Sequence, residues 1–277
     1  MSRITRGFLI VALLALLAAA VLHALVLAGA MRLWPALIHL SLFGWITGMI
    51  LTVNYHMLPV FSGRDFPYRR LVAAHRGSFA AGIALATAGL LSGRRLITIG
   101  GVALETIAAL LFVAVTITLF TRGAQTRTPP LPPVPDQRRV DRVGTQATKL
   151  AGVSLPLALM LLLAVYAGWL GPAWLLAAEH LATLGWLMLM VVGVAQHVLP
   201  RFSGVPVRGV GWARAQLMTH ALALALMIPA LGLGWSSTFA VGGVLMMVAL
   251  LLFGWTIWPT LVVIRPRIAR QLREQTS

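Results

Sequence analysis

Cysteine is absent from this 277-residue chain, only six residues are acidic, and charged residues of both signs make up 10% of the whole. Without cysteine there is no disulfide framework, no thiolate metal site, no iron–sulfur cluster and no heme attached through Cys-x-x-Cys-His. Any metal or heme has to be held by His, Met, carboxylate or backbone. A soluble domain of this size would carry about a quarter charged residues. Here 59% of residues are hydrophobic and the mean hydropathy is +0.90, which is the composition of an integral membrane protein. The formal charge of +16 would suit a nucleic-acid binder, but the basic residues fall at the ends of apolar segments and form no groove-like patch. No nucleic-acid partner is expected; membrane lipid is.

Eight apolar stretches reach the roughly 20 residues needed to cross a bilayer. They lie at about 8–30, 34–60, 71–92, 96–121, 150–170, 173–200, 213–234 and 238–264. The first, from Phe8 to Met31, is too long for the core of a signal peptide and is read as a span. Nineteen of the 22 Lys and Arg residues fall on one side of this arrangement, and only Arg32, Arg94 and Arg95 on the other. The positive-inside rule then puts both termini in the cytoplasm of a bacterial-type inner membrane. The one long connection contains the run from Thr128 to Pro135, too rich in proline for helix or sheet, and reads as a semi-extended cytoplasmic linker.

That linker lies mid-chain, as a fused duplication would place it. Residues 39–63 read HLSLFGWITGMILTVNYHMLPVFSG and residues 180–204 read HLATLGWLMLMVVGVAQHVLPRFSG, with twelve identities at one offset of 141. Shared hydrophobicity accounts for matched Leu and Val, but not for paired His, Gly-Trp, Leu-Pro and Phe-Ser-Gly. A further histidine follows each block, His75 and His220. The expected fold is therefore all-α, a polytopic bundle of eight transmembrane helices built as two parallel four-helix repeats. The repeats would be 1–122 and 150–277, joined by a linker at 123–149.

Ionisable residues inside a bilayer are costly and are functional candidates by default. The 17 residues from His39 to His56 correspond to about 25 Å of helix, so His39 and His180 belong near the periplasmic face. His56 and His197, with His75 and His220, belong near the cytoplasmic face. Two neutral imidazoles facing each other in a helix bundle can ligate heme iron, which makes His39 and His180 the first candidates. The four cytoplasmic-side histidines are candidates for a second heme or for copper or another metal. Gly44 and Gly185 would let a flat macrocycle or another helix approach, and Trp45 and Trp186 would border a porphyrin or simply pack. Arg94 and Arg95, set against the charge bias, suit heme propionates. Glu105 lies within the fourth span, where an ionised acid costs about 2.5–3.5 kcal/mol or more. It is read either as a protonated acid bonded to a neighbouring helix or as part of a proton path. The repeat partner of Glu105 is Met246. His23 has no counterpart and reads as a lone membrane histidine.

The block His-x4-Gly-Trp, then an aliphatic run, Leu-Pro, and a helix opening with His resembles two helices of the catalytic subunit of heme-copper oxidases. It is most similar to the C-type cytochrome c oxidases and the nitric oxide reductases. The resemblance implies that His39 and His180 occupy the low-spin heme ligand position and that Arg94 and Arg95 sit against propionates. The chain departs from that family at Leu37 and Ala178, where a high-spin heme ligand would stand, and it has no His-His pair for copper. It also looks like the NnrS family of heme-containing, nitric-oxide-linked membrane proteins. The resemblance points to a b-type cytochrome with one heme b, or two, exchanging electrons with a quinol or a cytochrome, alone or as a subunit of a larger complex. No catalytic residue is assigned. Two other classes remain open: an oxidoreductase of nitric oxide or oxygen reductase type with a metal at the cytoplasmic-side histidines, and a metal transporter or sensor.

The cysteine-free chain makes the topology directly testable. In intact cells, Gly93→Cys should react with a membrane-impermeant maleimide, and Gln125→Cys should react only after permeabilisation. The reverse pattern would invert the orientation.

Overall fold

A computed structural model describes residues 3–131 and 134–276, with side chains described between residues 4 and 262. Pro132 and Pro133 of the proline run, and the side chains of the arginines beyond 262, fall outside it. The chain is 86% helical with no strand among the described residues, an all-α polytopic bundle as expected. Its elements are α1 (Arg3–Leu27), α2 (Trp34–His39), a π-helical segment π1 (Leu40–Ile46), α3 (Thr47–Ser62), α4 (Arg69–Ser92) and α5 (Arg95–Arg122). Then follow α6 (Gln137–Tyr166), α7 (Ala173–His180), a second π-helical segment π2 (Leu181–Met188), α8 (Leu189–Ser203), α9 (Val210–Leu233) and α10 (Ser236–Thr276). Eight helical stretches are long and apolar enough to span a membrane, α2–π1–α3 and α7–π2–α8 each counting as one.

The duplication extends well beyond the matched sequence block. Helices α4 and α9 begin at residues 69 and 210 and end at 92 and 233, and α5 and α10 begin at 95 and 236, each pair displaced by the same 141. The Phe-Ser-Gly that closes each block has a mechanical role. Gly63 and Gly204 take the left-handed conformation, φ 67° and 66°, and their N–H groups bond the carbonyls of Pro59 and Pro200. Glycine ends the helix there because it adopts positive φ without strain.

This register corrects one expected pairing. With an offset of 141, the counterpart of His75 is Gln216, and that of His220 is Phe79. The two histidines sit one helical turn apart in their repeats rather than at equivalent places. By the same register, Tyr55 pairs with Gln196.

Both copies widen into a π-helix directly after the histidine, over Leu40–Ile46 and Leu181–Met188. A π turn behaves as an α-helix with one residue inserted, and such turns are concentrated at functional sites. Discounting that residue, Tyr55 lies about 60° around the axis from His39 and His56 about 160°. Burial follows suit: His39 and Tyr55 are buried, and His56 is exposed. The π turns also leave carbonyls to be satisfied. The Thr47 hydroxyl donates to the Leu42 carbonyl at 2.9 Å, and His220 Nε2 donates to the Leu184 carbonyl at 3.0 Å.

Between membrane helices, small residues permit the close approach that apolar association in lipid requires. A Cβ on Gly44 would fall 2.8 Å from the Cβ of Ala15, and one on Gly48 would fall 2.9 Å from that of Ala12. Gly44 thus packs against α1, the approach of another helix being one of the two roles expected for it. Helices α4 and α5 meet through Gly82 against Glu105, Gly89 against Thr98 and Gly101 against Ala86.

The linker is shorter than expected. Helix α6 begins at Gln137, because no proline follows Pro135 until Pro156, so 137–149 are helical rather than extended. The chain divides into two compact units, Met1–Pro130 with Gly152–Thr183, and Leu131–Ala151 with Leu184–Ser277. Their boundaries differ from those of the repeats.

Gly101 and Gly100 offer a matched test of the α4–α5 contact. A Cβ at Gly101 would run into the backbone of Ala86, whereas one at Gly100 meets nothing within 4 Å. Gly101→Ala should destabilise the protein by about 1–3 kcal/mol, and Gly100→Ala should be neutral or slightly stabilising. Thermal unfolding in detergent reads both.

Candidate functional site: buried histidines and their partners

In the first unit, His39 ends α2 and is 4% exposed. Its Nε2 lies 2.8 Å from Oε1 of Glu105 on α5, and the Glu105 side chain is equally enclosed. Gly82 provides the room, since a side chain there would strike Glu105. The acid deep in the fourth span is therefore bonded to a neighbouring helix, one of the two readings its position suggested. The other carboxylate oxygen, Oε2, is buried and has no protein hydrogen-bond partner. Glu105 also lines a small cavity of about 10 Å3, together with Thr47, Phe79 and His75 among others.

His75, on α4, is 1% exposed and accepts or donates through Nδ1 at 2.7 Å from the Tyr55 hydroxyl. The pair sits in an aromatic cage. Phe8 stacks on Tyr55 with ring centroids 4.7 Å apart, and Phe66 and Phe112 close further sides. Tyr55 also borders a cleft of about 720 Å3 that opens among His56, Asp65, Arg69, Arg76 and Arg127. His56 and His75, expected to share a metal or second heme, thus have different surroundings: one on the wall of an open basic cleft, the other bonded to a tyrosine inside.

His180 ends α7 as His39 ends α2. Its Nδ1 donates to the Leu176 carbonyl at 2.9 Å, so Nδ1 bears a proton. Arg94 and Arg95 are both exposed. Arg95 Nε donates to the Tyr166 carbonyl at the C-terminal end of α6, where a cation also meets the negative end of the helix dipole. Trp45 is half-buried, whereas Trp186 and Gly185 are buried. His23 is exposed on α1.

In the second unit, His197 belongs to a polar cluster that the sequence did not announce. Asp141 on α6 accepts from His197 Nδ1 at 2.9 Å, from Gln137 Nε2 at 2.7 Å, and from both terminal nitrogens of Arg201 at 3.0 and 2.8 Å. His220 is fully buried on α9, bonded to π2 through Nε2, with no hydrogen-bond partner at Nδ1. His197 and His220 therefore have separate partners too. Among the described residues, no three His, Cys, Asp or Glu side chains are gathered so as to hold a metal ion.

Glu105 was visible in the sequence as the one acid far inside a span, since such a group must find a partner. Asp141 was hidden among Arg138, Arg139 and Arg142, where an acid reads as ordinary surface charge. No protein-family model matches the chain, and no curated protein matches it.

The residues expected to hold heme fit it in kind, being imidazoles, and fit unequally in placement. His180 has its ring held through Nδ1 by a carbonyl, in the manner of many metal-bound histidines. His39 has its Nε2 engaged by Glu105, so iron and the carboxylate would compete for one nitrogen.

The Asp141 cluster is a stability element. Asp141→Ala leaves Arg201 without its bidentate partner and should cost about 2–4 kcal/mol. Asp65→Ala removes an exposed contact of 3.5 Å to Arg127 and should cost no more than about 0.5 kcal/mol. Thermal unfolding of the two variants provides the comparison.

Proposed function

We propose that the protein is a multi-pass membrane cytochrome of b type that binds heme through His180 and His39 and exchanges electrons with a quinol or a cytochrome. The observation that carries this reading is the paired setting of the two histidines. Each ends a short helix, each is followed at once by a π-helical segment, and each occupies the same place in its repeat. Bound between them, heme would supply a one-electron carrier. The chain's own residues would do the rest. The Leu176 carbonyl orients the His180 ring, Arg94 and the terminal nitrogens of Arg95 offer cationic partners to propionates, and Glu105 gives up His39 to the iron. A bacterial-type inner membrane with both termini in the cytoplasm accords with the distribution of Lys and Arg.

A reduced-minus-oxidised spectrum of protein purified from a heme-replete host tests the proposal. Sharp b-type bands insensitive to carbon monoxide are expected, with His180→Ala and His39→Ala each abolishing them. Glu105→Gln, which weakens the competitor for His39, should leave heme content equal or higher. A wild-type protein without heme would overturn the reading.

A further inference from the structure

We propose that the first unit contains an internal proton path, running from the basic cleft through Tyr55 and His75 to Glu105. This inference goes beyond the electron-carrying reading and stands without it, because none of its parts requires heme.

Three observations support the path. First, the groups are in series. Tyr55 borders the open cleft of about 720 Å3 and lies 2.7 Å from His75. His75 and Glu105 line one cavity of about 10 Å3, enough for one water molecule. Glu105 in turn lies 2.8 Å from His39. One water bridges two groups across about 5.5 Å with two ordinary hydrogen bonds. Second, Glu105, which lines that cavity, has a buried oxygen, Oε2, with no protein hydrogen-bond partner, an acceptor of the kind such a water requires. Thr47, whose hydroxyl is held by the Leu42 carbonyl, stands on the same wall.

Third, the fold does not need these groups. At the places of Tyr55, His75 and Glu105, the second repeat has Gln196, Gln216 and Met246, all buried and none with a phenol, imidazole or carboxyl group to pass a proton along. The same helices in the same register are built there without a titratable series. Chains of Glu, His and Tyr inside membranes conduct protons in pumps and transporters, whereas packing alone is satisfied by apolar or amide side chains.

The transfer balances as a relay. A proton from cleft water forms a new O–H on Tyr55 as the tyrosine's original proton passes to Nδ1 of His75. The imidazole releases the proton of its other nitrogen to the cavity water, which passes one of its own to Oε2 of an ionised Glu105. One O–H or N–H breaks for each that forms, and the net result is one proton moved from the cleft to the carboxylate. His75 is left with its proton on Nδ1, so its ring must turn before a second transfer. Phe8, Phe66 and Phe112 keep other water away from the Tyr55–His75 step. The charged groups facing the entrance are Asp65, Arg69, Arg76 and Arg127, with His56 beside them.

Infrared spectroscopy of the full-length protein in lipid, moved rapidly from H2O to D2O, tests the path. Bands of the Glu105 carboxyl group are identified as those lost or shifted in Glu105→Gln. In the wild type, these bands should exchange. In Tyr55→Phe, which removes one hydroxyl, and in His75→Gln, which copies the second repeat, exchange should slow at least about tenfold. Leu110→Val, exposed on α5 and outside both the series and the cleft, should leave the rate unchanged. Equal rates in the wild type and Tyr55→Phe would overturn the proposal, as would a wild-type carboxyl group that does not exchange. Loss of heme in any variant bears on the cytochrome reading alone, since exchange is measured without reference to the heme spectrum.

Discussion

A bilayer offers no water to a buried polar group, so each one must find its partner within the protein. That requirement organises this structure more than any other. His39 is matched by Glu105, His75 by Tyr55, His180 by a carbonyl of its own helix, His197 by Asp141, and His220 by a carbonyl that the π-helix releases. Two of the five are matched by carboxylates on other helices, two by backbone carbonyls and one by a phenol. A duplicated scaffold has thus been fitted with different polar interiors.

The glycines make these pairings possible. Gly82 is the clearest case, because the α4–α5 contact would be close with any small residue there, yet only a residue without a side chain leaves space for Glu105. Helix packing and polar chemistry are therefore not separate layers of the design. The same absent Cβ that brings two helices together also admits the carboxylate that reaches His39.

Much of this was legible in the sequence, and the reasons are physical. Apolar length gave the eight spans, and paired His, Gly-Trp and Phe-Ser-Gly revealed the duplication, because hydrophobicity alone does not repeat such residues. The start of α6 was missed because a proline-rich run suggests extended chain up to the last charged residue, whereas a helix needs only the last proline to be behind it. The pairing of His75 with His220 was misjudged because both follow the block at similar distances, although the block's offset of 141, which the helix ends share, sets Gln216 opposite His75. Partners such as Tyr55 and Asp141 could not be read at all. A tyrosine in a span and an acid among arginines are both unremarkable until neighbouring helices are set against them.

The twin wide turns bear on the history of the chain. Both copies have the extra residue at the same point, immediately after the histidine, and the numbering between copies runs from there to the start of the fourth helix of each without a gap. One insertion in a single ancestral half accounts for both, whereas two independent ones would require a coincidence of place and size. The bulge is therefore older than the fusion. The half-length ancestor already turned its helix this way, and two of its copies would have met as separate chains before one polypeptide joined them.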